Sequence, residues 1–149
     1  MTRQSSGRRL RDITLMLTLA MLPACSLVAP RPQKTDYLQT AGGGFVYDRD
    51  QQQVQYAIVV APRKPLPEGS ILEAIFEDPV GERPYVVSVV VKPGVRDYTL
   101  NSPPVHGTRA GATYHIQIKL YADAGKSQLL DSYDQGIRAS VDQGRLGWP

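Results

Sequence analysis

The chain has 149 residues, 17 of them Lys or Arg and 14 Asp or Glu, for a formal charge of +3, and it contains a single cysteine. One cysteine excludes an intramolecular disulfide and any thiolate-rich metal centre. Arg3, Arg8, Arg9, Arg11 and Asp12 all lie in the first 24 residues, and removing them leaves 13 basic and 13 acidic groups from Cys25 onward. That portion is formally neutral, which argues against a nucleic-acid footprint or a polybasic membrane patch.

The four arginines form a positive n-region, Ile13 to Leu22 form an uncharged apolar run, and Pro23-Ala24 supply a turn and a small residue. A run of this length cannot cross a bilayer, which takes about 20 apolar residues for roughly 30 Å of hydrocarbon. Residues 1–24 therefore read as a cleaved signal peptide. Arg11 and Asp12 stand where a twin-arginine signal wants hydrophobic residues after the Arg8-Arg9 pair, so the general secretory route is expected.

Leu22-Pro23-Ala24-Cys25 resembles the lipobox of bacterial lipoproteins, an aliphatic residue and two smaller ones before a cysteine, with Pro23 an unusual second occupant. The resemblance implies lipidation of Cys25: its thiol takes a diacylglyceryl group as a thioether, and its freed amine is acylated after cleavage. Each buried methylene contributes about 0.8 kcal/mol, so one acyl chain is a marginal anchor and two or three palmitate-like chains a stable one. Ser26, rather than aspartate, follows the cysteine, which implies sorting to the outer membrane with the domain facing the periplasm.

Residues 25–41 read as the lipidated cysteine and a flexible tether, since Pro30 and Pro32 sit among polar residues without periodicity. Stretched at about 3.1 Å per residue, such a segment would reach roughly 45 Å. Gly42-Gly43-Gly44 lacks the lysine and following helix of a phosphate-binding loop and is expected to be a flexible entry to the first strand.

Residues 42–149 then alternate with a period of two. Val54 to Val60 is rich in β-branched residues and stops at Pro62; Ile71 to Glu77 places Leu72, Ala74 and Phe76 on one face. Tyr85 to Val91 is nearly all strand former and ends at Lys92-Pro93-Gly94, a composition suited to a turn. In Tyr114 to Leu120, Tyr114, Ile116, Ile118 and Leu120 point inward, while His115, Gln117 and Lys119 point out. Asp123-Ala124-Gly125-Lys126 makes a hairpin turn, and Leu129 to Val141 returns. Six or seven short strands with no convincing helix predict an all-β antiparallel sandwich. Gly111-Ala112-Thr113-Tyr114 resembles the tyrosine corner of immunoglobulin and fibronectin type III domains, without the core tryptophan and disulfide of antibody domains. The resemblance implies an immunoglobulin-like sandwich, with a transthyretin-like one as the alternative.

The candidates for chemistry are sparse. His106 falls in an expected loop and His115 on a polar strand face, and two histidines without a further cysteine make a metal site improbable. Asp48-Arg49-Asp50 lacks the glycine and closing glutamate of a calcium loop and reads as a charged turn. No serine sits in a Gly-x-Ser-x-Gly elbow, and Glu77, Asp78 and Glu82 beside Pro79 and Gly81 read as loop acids. No catalytic residue, metal or cofactor is therefore nominated. Trp148 and the tail from Gly144 either pack on a sheet edge or fray.

Two functions fit this pattern. The first is a non-enzymatic, membrane-anchored lipoprotein that docks or assembles other envelope proteins through an edge strand or end loops. The second is a small-ligand or glycan binder using Tyr56, Tyr85, Tyr121 and Tyr133. A concave pocket lined by several of these rings would favour the second, and a bare hydrophobic edge the first.

Overall fold

Period-two alternation makes each strand apolar on one side only, and two such sheets bury their apolar faces against each other. The computed structural model describes residues 30–147, so the expected signal peptide, Cys25 and Trp148 lie outside the described residues. Seven strands follow in order: β1 Leu38–Asp48, β2 Gln53–Pro62, β3 Ile71–Phe76, β4 Tyr85–Val90, β5 Tyr98–Asn101, β6 Thr113–Tyr121 and β7 Leu129–Arg138. One sheet has the order β1-β2-β5 and the other β4-β3-β6-β7, with all pairs antiparallel. The chain is an all-β sandwich. A single 3-10 turn, Gln143–Leu146, follows β7.

The inner faces are those the alternation predicts. Val54, Tyr56, Ile58 and Val60 of β2 and Leu100 of β5 meet Leu72, Ala74 and Phe76 of β3 and Ile116, Ile118 and Leu120 of β6, all essentially inaccessible to solvent. Each fully buried aliphatic side chain of this size contributes about 1.5–3 kcal/mol relative to exposure. At one end the filling is aromatic: Tyr56 stacks on Phe45 at 4.8 Å and meets Phe76 edge-on at 5.1 Å, while Phe45 meets Tyr114 at 5.6 Å. The buried Tyr56 hydroxyl donates to the Glu77 carbonyl, which removes the cost of an unpaired polar group there. Burial, reinforced by Glu77 and Asp78 nearby, pushes its phenol well above the ordinary range.

Two elements differ from the sequence reading. The glycine triplet does not precede the first strand but lies within it, paired with Ala57, Ile58 and Val59 after a register shift between Thr40 and Gly42. The reason is steric. A Cβ on Gly43 would stand 2.9 Å from both the Ala57 carbonyl oxygen and the Ile137 methyl, so the absent side chain lets β1 close against β7.

The second difference is the expected tether, which from Pro30 onward is bound to the domain. Gln135 and Asp131 occupy inward positions of β7, opposite Ile116 and Leu120. Gln135 is fully buried, and its side chain accepts from Gln33 N–H at 2.8 Å and donates to the Arg31 carbonyl at 3.2 Å. Asp131 accepts from Tyr37 N–H at 3.0 Å and from the Thr35 hydroxyl. On its other side the segment pairs with β1 through a Lys34–Gln39 bridge and a Thr40 N–H to Gln33 carbonyl bond of 2.8 Å. Residues 30–37 thus form a strap in the seam between β1 and β7.

Gly43→Ala should destabilise the domain by about 1–3 kcal/mol through overpacking. Gly44→Ala, where an added Cβ meets nothing within 4 Å, should stay within about 0.5 kcal/mol of the parent. Urea unfolding of the two variants checks the difference.

Candidate functional site

Edge strands expose unpaired backbone N–H and C=O groups, and natural sandwiches blunt them with charge, proline, bulges, brevity or a cover. β4 uses none of these. It is the terminal strand of the four-stranded sheet, and its sequence Tyr-Val-Val-Ser-Val-Val contains no charge and no proline. Val87 and Val89 turn partly into the core, and Val86 and Val90 point out, 58% and 53% exposed. Ser88 lies between them and donates to Glu73 at 3.3 Å, and Lys126 from the β6–β7 loop clasps that nearly buried carboxylate. The ion pair therefore pins the middle of β4 to β3, and among the described residues no strand is hydrogen-bonded to the other side of β4.

A shallow cleft of about 330 Å³ opens beside the Tyr85 end of this edge. Ile75, which pairs with Val86, forms part of its floor, and Glu77, Asp78, Glu82, His115 and Asp134 surround it. The acids are mostly committed to local structure. Glu77 accepts from His115 N–H at 2.7 Å, extending the β3–β6 pairing, and Asp78 accepts from Val80 N–H at 3.0 Å and from the Tyr85 hydroxyl at 3.4 Å. Burial first, and then the Asp78 charge, hold the Tyr85 phenol above its ordinary value.

His115 Nδ1 lies 2.5 Å from Asp134 Oδ1, and this bond, outweighing partial desolvation, raises the imidazole above the ordinary 6.5. Among the described residues, His115 is hydrogen-bonded through its ring to Asp134 and through its backbone to Glu77. Among the described residues no three His, Cys, Asp or Glu side chains are placed to hold a metal ion.

The other residues singled out from sequence are dispersed. His106 is exposed in the loop after Val105. Asp48 closes the β1–β2 turn by accepting from the N–H groups of Asp50 and Gln51, both at 3.0 Å. Tyr56 is in the core, the Tyr133 hydroxyl receives a bond from Thr40, and Tyr121 lies under Lys126. Among the described residues, the clefts lined by Arg63 and Arg96, by Ile75 and Glu82, by Val80 and Arg109, and by Pro30 and Gly43 include none of Tyr56, Tyr85, Tyr121 and Tyr133. Sequence reading missed the inward-pointing Asp131 and Gln135, although polar residues at apolar positions of an alternating strand are themselves the signal of a buried partner. No protein-family model matches the chain, and no curated protein matches it.

The His115 pair gives a pH signature. Its folded-state value lies above the unfolded one, so the contact stabilises below about pH 6.5 and its contribution fades as pH rises through the folded value. In a nuclear magnetic resonance titration His115 should titrate above 6.5, and Asp134→Asn should return it to 6.5 or lower, because desolvation then dominates.

Proposed function

We propose that the chain is a lipid-anchored, periplasm-facing docking module of the bacterial envelope, held by Cys25 in the outer membrane and recruiting a partner protein along β4. The observation that supports this best is the bare β4 edge: six uncharged, mostly β-branched residues with a free backbone side and two outward valines. An edge of this kind suits an extended segment of another protein, which adds backbone hydrogen bonds and buries the valines. It is also an aggregation hazard if left unoccupied. The scattered tyrosines give no comparable support to the glycan-binding alternative.

The strap narrows the anchoring geometry. Pro30 packs where a Gly136 side chain would lie, at 3.2 Å, and Gly136 is close to the C-terminal end of β7. Cys25 precedes Pro30 by only five positions, a span of at most about 17 Å. The lipid therefore stands near the Arg138 end of the sandwich, well short of the reach expected of a free tether. The immunoglobulin-like reading of the fold draws support from the strand order, which corresponds to the first, second and fifth strands facing a four-stranded sheet. It draws further support from Tyr114, whose hydroxyl accepts from Arg109 N–H at 2.9 Å, five residues upstream.

Mass spectrometry of the membrane-extracted protein should find Cys25 at the N-terminus with acyl chains. In the same cells a photo-crosslinking residue at Val86 or Val90 should give one discrete adduct with an envelope protein. The equally exposed Val46, at 56%, should give none. An unmodified Cys25 contradicts the anchor, and equal labelling from all three positions contradicts docking at β4.

A further inference from the structure

Where β4 ends, the chain builds a cleft of about 530 Å³ between the β2–β3 and β4–β5 loops. Its walls are fixed in place. Val91 N–H donates to the Ser70 carbonyl at 2.8 Å and Gly69 N–H to the Val91 carbonyl at 3.2 Å, so the two loops are hydrogen-bonded to each other. The Tyr98 hydroxyl accepts from Lys92 N–H at 3.2 Å and donates to the Lys92 carbonyl at 3.1 Å, and Pro62, Pro65 and Pro93 further restrict the backbone. A site that is already ordered loses less entropy when it binds.

The charge in this cleft is one-sided. Arg63, Lys64, Lys92 and Arg96 line it against a single acid, Glu68. The Arg63 guanidinium donates to the Thr35 carbonyl and the Lys64 ammonium lies 3.5 Å from the centre of the Tyr37 ring, so both have neutral partners. The ion pairs of the described residues, His115 with Asp134 and Lys126 with Glu73, involve none of the four cations. Concave walls focus such uncompensated charge and attract anions.

We infer that this cleft binds an acidic, aliphatic peptide segment, the continuation of the partner strand that runs along β4. The inference rests on the docking reading and specifies the partner's chemistry. Leu66 and Val95 lie among the cations, and Val95 is 39% exposed, so carboxylates interleaved with aliphatic side chains match the surface. A sugar acid would want an exposed aromatic face, and Tyr98, the aromatic residue of the cleft, is only 8% exposed. The anchoring membrane is an unsuitable source of the anion. The cleft lies at the Leu129 end of the sandwich, about seven strand residues or roughly 23 Å from Gly136, where the strap begins. Acids stand at the opposite, Tyr85 end of β4, so the acidic part of the partner strand fits only beyond Val90. The edge thereby sets at which end of β4 the acidic part of the partner lies.

The test is fluorescence anisotropy on the full chain in neutral detergent, with labelled Glu-Val-Glu-Val-Glu as probe and Lys-Val-Lys-Val-Lys as control. The acidic peptide should bind and the basic one should not, and raising the salt from 0.05 M to 0.5 M should weaken binding, in keeping with the shorter screening length (about 10 Å at 0.1 M and 3 Å at 1 M). The double variant K92E/R96E, confined to an exposed loop, should weaken binding at least tenfold, whereas R49E in the turn at the other end should not change it. Unchanged affinity in K92E/R96E overturns the assignment. So does loss of binding to phosphatidylglycerol vesicles in that variant while peptide binding persists, which would assign the cleft to headgroups. Persistence of the Val86 adduct in K92E/R96E separates failure of the cleft assignment from failure of docking at β4.

Discussion

Two stacked sheets leave four strands with one unpaired backbone side each, and the molecule is organised by how those four edges are treated. β5 has only four residues, too few to template a long pairing. β1 carries a register shift and a triplet of glycines that bring it against β7, so those two edges face each other across a narrow seam. The strap fills that seam. β4 has six residues without a charge, and among the described residues neither a strand nor the strap is hydrogen-bonded to its outer side, which suits it to pairing with another chain.

The strap is held in an unusual way. It adds no full strand to β7; instead Gln135 and Asp131, placed where the alternation would put apolar residues, supply hydrogen bonds to its backbone. Burying an amide or carboxylate without partners costs a few kcal/mol, so these side chains favour the arrangement in which residues 30–37 are in place. Removal of the strap would open the seam and take the strap N–H partners from Gln135 Oε1 and Asp131 Oδ2, leaving Gln135 its bond to the Gly136 carbonyl and Asp131 its bond from Ser132 N–H. On the proposed anchoring through Cys25, the strap starts near Gly136 at the Arg138 end of β7, whereas the basic cleft lies at the Leu129 end and the β4 edge on the far side of the sheet.

Much of the sandwich was legible in the sequence because its core strands alternate cleanly. Val54 to Val60, Ile71 to Phe76 and Tyr114 to Leu120 bury the predicted faces, and the turns fall where Pro, Gly and Asp cluster. Two local signals competed with that pattern. Gly42-Gly43-Gly44 has the composition of a loop, and only the close approach of Ala57 and Ile137 from other strands explains why it forms a strand. Pro30 and Pro32 read as an extended linker, which is the correct local conformation, but the partners that bind the linker lie about a hundred residues away. The basic cleft was hidden for a similar reason. Arg63 and Lys64 are separated in sequence from Lys92 and Arg96 by two whole strands, and only the pairing of β3 with β4 brings the loops together.

Amide hydrogen exchange of residues 31–40 in the intact chain tests the edge arrangement most directly, because Gln33, Thr35, Tyr37 and Thr40 all donate their N–H groups in the strap. Protection of these amides to a level comparable with β7, and its loss in Gln135→Ala, is the expected result. Exchange at the rate of an unstructured chain would mean that residues 30–37 are a free tether, and that β7, like β4, is an open edge.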